Sequence, residues 1–375
     1  MNILLLPDKF KGSLTAQQLI QSLTNGVKKA VPQASFKHVI ASDGGDGFLD
    51  AIAEYRETEV ITTETVDPLG RPITTTMLAD PTTGEVYIEM AKASGLVLLS
   101  NEERSASKTS TRGTGIQIRE GIKQGFRKIY VGLGGSATND AGMGMAYELG
   151  YRFLDEDGED LNPIGANLEH VRQINTGQVI EELGETKIFA VNDVNNPLYG
   201  PDGAAAVYAA QKGASPQEIR ILDQGLQHLD LQIRKYLGLD CANLGGAGAA
   251  GGAAYGLKCF LHAEFITGTK FLLDVAKIPE LIHTSTFDYI LTGEGKIDSQ
   301  TLSGKWINGV MELGREFQIP VIAVCGSLEV EPEVLKEGGL EDVIEVVDRD
   351  KPLEYNMSHA ADLVEKAVSE YFREK

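Results

Sequence analysis

With 375 residues, 42% hydrophobic and 23% charged, the chain has the make-up of an ordinary globular protein, and its length exceeds what one core usually supports. Its 54 acidic against 34 basic side chains give a net charge of −20, which argues against nucleic acid or an anionic membrane as partner. Three scattered cysteines, six dispersed histidines and no apolar run of membrane-spanning length argue against structural zinc, a His-based triad or a membrane span, so a cytoplasmic α/β protein of two domains is expected.

Residues 2–6 are a β-rich run leading into Pro7, Asp8, Lys9, Phe10, Lys11, Gly12 and Ser13. Thr15 and Gln18 have the spacing of a capping box, and Leu19, Ile20, Leu23, Val27 and Ala30 follow at helical spacing. Residues 35–41 read as a second strand and 48–55 as a second helix, the opening of a parallel sheet with functional loops at strand C-termini. Lys11, Gly12 and Ser13, directly after a strand and before a helix, are expected to bind an anion; Lys9 alone is better explained by a solvated loop. Residues 42–47 hold Asp43 and Asp46 among three glycines. Two close carboxylates repel, and they are easier to explain facing Mg²⁺ or a substrate hydroxyl; the spacing is not that of an EF-hand.

Runs rich in Thr, Val and Ile between residues 59 and 90, with turn signals at 67–70 and 80–84, predict antiparallel hairpins and an exit into a second domain. Residues 91–99 read as a weak helix or loop. Residues 108–115 place Lys108, Ser110 and Arg112 among three threonines ahead of a helix over 116–126, where helix capping and an anion contact are equally good accounts.

A strand over 128–131 then feeds YVGLGGSATNDAGMGM (130–145), with a helix expected from Asp140. Gly132, Gly134, Gly135 and Gly142 let backbone N–H groups approach an oxyanion, and Ser136, Thr138, Asn139 and Asp140 surround the same point, which makes a phosphate site. Gly132, Gly134 and Ala137 also fit a dinucleotide fingerprint, with Asp155 18 residues further on where a ribose-binding acid is expected. An NAD(P)-dependent hydroxy-acid dehydrogenase is therefore an alternative. The surplus of polar groups suits a metal-bound polyphosphate better.

Residues 188–191 read as a strand ending in Asn192 and Asp193, a good place for a base or metal ligand and equally for an Asx turn before Pro197. Lys212 is a further candidate cation. Residues 216–237 form a long helix whose apolar positions are core. The LGGAGAAGG stretch (244–252) suits tight packing or a hinge. A strand over 288–291 precedes Glu294, Lys296, Asp298 and Lys305, a charged cluster that is not a P-loop because Trp306 follows Lys305. A helix over 306–317, strands over 319–325 and 343–347, and a helix over 358–372 complete the chain. This alternation matches the opening, so residues 286–375 are expected to rejoin residues 1–60 in one domain, with 61–285 inserted and carrying the Gly-rich loop.

In order along the chain, PDKFKGSLTA (7–16), DGGDG (43–47), DPLG (67–70), GTG (113–115), GLGGSATNDAGMGM (132–145), NDVNNPLYGPDGAA (192–205), QKGA (211–214), GAGAAGG (246–252) and TGEGKIDSQT (292–301) resemble the type 1 glycerate kinase family. The resemblance covers nearly the whole chain. It departs at Lys9, Asp46, Arg112, Ala141 and Asn192, where the family usually has Ser, Glu, an aromatic residue, Gly and Cys. It implies two α/β domains, one a flavodoxin-like parallel sheet with helices on both faces and the other inserted with a mixed sheet, and an active site in the cleft between them. It also implies ATP- and Mg²⁺-dependent phosphorylation of D-glycerate to 2-phosphoglycerate, with 3-phosphoglycerate as the alternative product.

With phosphoryl transfer as the chemistry, placement at loop ends assigns Gly134, Gly135, Ser136, Thr138, Asn139 and Glu294 to ATP, and Asp46 and Asp298 to Mg²⁺. Asp8, Ser13, Arg112 and Asp43 are assigned to glycerate. Among Asp43, Asp46 and Asp193, any of which can hold Mg²⁺ or take the hydroxyl proton, Asp193 is the expected base, and Lys11 neutralises the carboxylate or the moving phosphoryl group. The expected partners are these small molecules, with neither nucleic acid nor membrane, and self-association is left open. A non-catalytic sugar-acid sensor is the remaining alternative.

Overall fold

The computed structural model describes residues 1–39, 47–298 and 306–375; Asp43, Asp46 and Lys305 lie outside the described residues. The described strands in chain order are β1 (Asn2–Pro7), β2 (Ser35–His38), β3 (Glu59–Val66), β4 (Pro72–Asp80), β5 (Glu85–Glu89), β6 (Lys128–Gly132), β7 (Arg152–Leu154), β8 (Gln173–Asn175), β9 (Lys187–Val191), β10 (Glu264–Ile266), β11 (Tyr289–Ile297), β12 (Val321–Leu328) and β13 (Leu340–Glu345). The chain divides into two compact units, unit 1 (Met1–Asp43 and Thr269–Lys375) and unit 2 (Gly44–Gly268). The dividing lines expected from the sequence, 60/61 and 285/286, fall later in the chain. Helix Phe48–Tyr55 packs within unit 2 because the Glu89 carboxylate, at the end of β5, accepts the N–H groups of Leu49 (3.1 Å) and Gly47 (3.4 Å).

Unit 1 is a five-stranded sheet in the order β13-β12-β11-β1-β2, parallel throughout. Counted within the unit this is 2-1-3-4-5, the flavodoxin-like order. The sheet grows outward in both directions from the β1/β11 pair. Right-handed crossovers therefore send helix Ala16–Ala30 to one face and helix Trp306–Phe317 to the other. Helix Ala16–Ala30 starts at the Thr15/Gln18 capping box and packs against the C-terminal helix Ala360–Arg373. Ile3, Leu5, Leu291, Ile322 and Val324 share that core, while Leu4 and Leu6, equally buried, alternate to the opposite face. At the switch point Pro7, the last residue of β1, lies opposite Gly293, and β11 continues to Ile297, so the loop after β1 leaves beside the C-terminal half of β11, at the end of the sheet where ligands bind in such folds.

Unit 2 holds a six-stranded mixed sheet in the order β10-β9-β6-β5-β4-β3. The expected hairpins are β3–β4 and β4–β5, each antiparallel, and β5, β6, β9 and β10 continue in parallel. Tyr130 on β6 stacks between Tyr87 (5.4 Å) and Phe189 (4.6 Å) of its two neighbours. β7 and β8 form a separate antiparallel ribbon. Helix Pro216–Leu237 is bounded by a Ser215/Glu218 capping box and by Gly238 at φ +69°.

Candidate active site

The Gly-rich loop leaves the C-terminal end of β6, between β5 and β9. Its start is clamped from both sides. A Cβ on Gly132 would meet the Phe48 ring at 2.6 Å, the Leu133 N–H donates to Val191 O (3.1 Å), and Gly135 O accepts the N–H of Leu96 (2.9 Å). Ala137 donates its N–H to Ser94 O (2.9 Å), and its carbonyl accepts from the Thr109 hydroxyl (2.9 Å). Among the described residues, nothing accepts the N–H groups of Gly134 and Gly135. Thr138 and Asn139 are fully buried, and among the described residues the Thr138 hydroxyl and both amide atoms of Asn139 make no hydrogen bond. An unmade buried hydrogen bond costs about 1–3 kcal/mol, so several in one loop mark a place shaped for a ligand.

Beneath the loop lies Lys212, 2% exposed. Its ammonium donates to Ser136 Oγ (2.8 Å) and Thr138 O (2.7 Å). Burial pulls its pKa down to about 7, against the pull of Asp140. The helix expected from Asp140 begins instead at Met143, because the Asp140 carboxylate takes backbone donors for itself. It accepts the N–H groups of Gly142 and Gly144 (3.2 Å each) and both the N–H (2.7 Å) and hydroxyl (2.8 Å) of Thr111. Burial nonetheless pushes its carboxyl above the usual range.

The GAGAAGG stretch is a packing device. Residues 250–252 all have left-handed φ (+55°, +70° and +82°), and Gly251 O accepts the Ala141 N–H at 3.2 Å. A Cβ on Gly251 would collide with the Thr138 carbonyl, and one on Gly256 with the Ala141 carbonyl.

Asp193 follows β9, whose Val191 is in register with Gly132 of β6, so it enters on the same sheet edge as the Gly-rich loop. Its carboxylate accepts the Gly268 N–H (2.8 Å). Arg112 opens helix Arg112–Lys123, and its guanidinium grips Glu148 (2.6 and 2.7 Å) and covers the Tyr147 ring at 5.3 Å. With Asp67, Lys108 and Ser110 it lines a cavity of about 160 Å³.

Unit 1 brings together Asp8, Lys11, Ser13, Glu294 and Asp298 around the adjacent ends of β1 and β11. Asp8 donates its N–H to Gly293 O (2.8 Å) and accepts that of Lys9 (2.7 Å). Phe10 and Leu14 exchange backbone hydrogen bonds across a tight turn with Gly12 at φ +80°, which leaves Lys11 exposed at the tip. The Ser13 hydroxyl donates to Met357 O (2.9 Å). Gly295 abuts the Lys11 N–H, where a Cβ would stand 3.2 Å away. Lys296 pairs with Glu329 (2.8 Å) and approaches Asp298 (3.8 Å). Among the described residues no group of three or more His, Cys, Asp or Glu side chains forms a metal site. Mg²⁺ bound through phosphate oxygens needs only one or two protein carboxylates, so single acids at strand ends suffice.

The sequence matches the glycerate kinase family model over residues 3–374. It is 37% identical over 366 residues to a glycerate kinase of Halalkalibacterium halodurans, covering 98% of this chain and 96% of that one. It is 35% identical over 347 residues to the glycerate 2-kinase of Escherichia coli, covering 92% and 91%. The chain belongs to the glycerate kinase family. A crystal structure from Salmonella typhimurium LT2, described as a glycerate kinase 2, superposes with a TM-score of 0.77 at 33% identity over 99% of this chain and 97% of that one.

Within this kinase family the dinucleotide pattern of the Gly-rich loop loses its meaning. β7 pairs antiparallel with β8 and does not lie beside β6, so the fingerprint lacks its second parallel strand. Asp155 accepts the N–H groups of Asp157 (3.0 Å) and Glu159 (2.9 Å) and shapes a turn. Two features of the Gly-rich loop escape the sequence pattern, the burial of Lys212 and the anchoring of the loop by Asp140. Both depend on contacts with remote segments. Among the described residues no helix is long and apolar enough to cross a membrane.

Proposed function

We propose that the protein transfers the γ-phosphoryl group of ATP to the 2-hydroxyl of D-glycerate, giving 2-phosphoglycerate and ADP. Support comes from the relatives, which are named glycerate kinases and, in the Escherichia coli case, glycerate 2-kinase. The observation that carries the proposal is the Gly-rich loop, whose unpartnered donors and buried cation form a cradle for phosphate oxygens. Gly134, Gly135, Ser136, Thr138 and Asn139 are assigned to the ATP phosphates, and Glu294 is also assigned to the nucleotide. When bound, Mg²⁺ neutralises charge on the β and γ oxygens; Asp46 and Asp298 are the carboxylates assigned to it.

Asp193 accepts the proton of the attacking hydroxyl. Its hydrogen bond from Gly268 fixes one oxygen and aims the carboxylate. Lys11 neutralises the glycerate carboxylate or the moving phosphoryl group, with Asp8, Ser13, Asp43 and Arg112 positioning the acceptor. The test is ADP release in Mg²⁺ with and without D-glycerate. Glycerate-dependent ADP formation, lost on chelation of Mg²⁺, is expected; ATP turnover indifferent to glycerate would overturn the proposal.

A further inference from the structure

We infer that Lys212 is a positioning residue for phosphoryl transfer, its buried ammonium holding the Gly-rich loop in the shape that receives a polyphosphate. The inference rests on the assignment of that loop to ATP. Lys212 reaches residues 136 and 138, on either side of Ala137, whose own N–H and carbonyl are already held by Ser94 and Thr109. Three consecutive residues are thus fixed from three separate segments of the chain. Among the loop's side chains, Thr138 Oγ1 and the Asn139 amide face no partner among the described residues and are left for a ligand, beside the N–H groups of Gly134 and Gly135. The lysine itself cannot drift. It ends the short turn Ala210–Lys212, and Gly213 after it, at φ +88°, lies so close to the Arg104 carbonyl that a Cβ would collide.

The chemistry of the ammonium fits this role. A lone cation buried for stability alone is unfavourable, since an apolar side chain of the same volume costs less to desolvate. Here two of its three donors are used within the loop, and Asp140 is the titratable group that acts on it among the described residues. A cation with a pKa near 7 beneath an anion site is only partly charged at neutral pH. Arriving phosphates favour the charged form, so binding ATP draws a proton onto Lys212 whenever the solution is alkaline enough to have removed it.

Three proteins test this: wild type, Lys212→Met and Lys212→Arg, with Asn139→Ala as the control for the loop. Lys212→Met is expected to raise KM for ATP at least about tenfold while KM for D-glycerate stays within about twofold, and Lys212→Arg to recover part of the loss. Calorimetric titration of wild type with Mg²⁺-ATP in buffers of different ionisation enthalpy is expected to show greater proton uptake at pH 8 than at pH 6. That measurement needs no mutant to fold. Equal uptake at both pH values overturns the inference, as does a folded Lys212→Met enzyme with unchanged KM for ATP. If Asn139→Ala raises KM for ATP and Lys212→Met does not, the role of Lys212 alone falls. If neither variant changes it, the assignment of the loop to ATP falls as well.

Discussion

The Asp140 carboxylate accepts both the backbone N–H and the hydroxyl of Thr111, and the same Thr111 oxygen accepts the N–H of Met145 (3.0 Å). This relay ties the end of the Gly-rich loop to the start of helix Arg112–Lys123 and to helix Met143–Glu148. Thr111→Val removes one donor to the carboxylate and strands a buried N–H, so it should cost about 1–3 kcal/mol. Asp140→Ala strands several donors at once and should cost more than about 3 kcal/mol. Chemical unfolding measures both. A Thr111→Val protein within about 0.5 kcal/mol of wild type would show that the relay contributes little.

Gly251 and Gly238 have nearly the same left-handed φ, +70° and +69°, but different surroundings. Nothing lies within 4 Å of a Cβ placed on Gly238, whereas on Gly251 it collides with the Thr138 carbonyl. Gly238→Ala should therefore cost only the backbone strain, about 1 kcal/mol. Gly251→Ala adds overpacking and should cost about 2–4 kcal/mol. Since the displaced carbonyl is one that Lys212 holds, Gly251→Ala should also raise KM for ATP, with Gly238→Ala leaving it unchanged. Equal losses of stability in the two variants would contradict the packing account.

Much of this architecture can be read from the chain. Helix Ala16–Ala30 announces itself through the Thr15/Gln18 box and a clean apolar stripe, and helix Pro216–Leu237 through its length and period. The Gly-rich loop is legible because it is polar and glycine-rich directly after an apolar strand. Local rules fail where remote contacts take over. The helix is expected from residue 116, after the GTG of 113–115; it starts at Arg112, and Gly113 and Gly115 within it admit the Val66 carbonyl and the Met145 backbone. The helix expected at Asp140 starts at Met143 because a side chain captures the first N–H groups. Lys212 reads as a candidate cation, but its burial does not show, since its partner Ser136 stands 76 residues away and periodicity carries no such information.

Lys212 also makes stability depend on pH. Its pKa falls from 10.5 to about 7 on folding, so between those values the unfolded chain carries a proton that the folded chain has released. Stability conferred at this position therefore rises with pH through the window, by at most about 1.4 kcal/mol per pH unit. The full penalty applies below pH 7 and none above 10.5. Measured against Lys212→Met, which lacks the group, wild type should gain stability between about pH 7 and pH 9. A difference that stays constant over that range would contradict a buried, deprotonating lysine.

Asp193→Asn keeps an oxygen for the Gly268 N–H and removes the capacity to take a proton. The fold should survive, kcat should fall by about 10²–10⁴-fold, and KM for ATP should move little. Steady-state kinetics with both substrates varied checks this. Near-normal turnover would take the base role away from Asp193.

The most direct test of phosphoryl transfer to the 2-hydroxyl is a proton-coupled ³¹P spectrum of the reaction with ATP, Mg²⁺ and D-glycerate. A phosphate on O2 is bonded through oxygen to a carbon bearing one hydrogen, and its resonance splits into a doublet. A phosphate on O3 neighbours two hydrogens and gives a triplet. The predicted result is a new doublet that grows as the ATP γ-phosphate disappears. A growing triplet would contradict transfer to O2, and an unchanged ATP spectrum would contradict the kinase assignment itself.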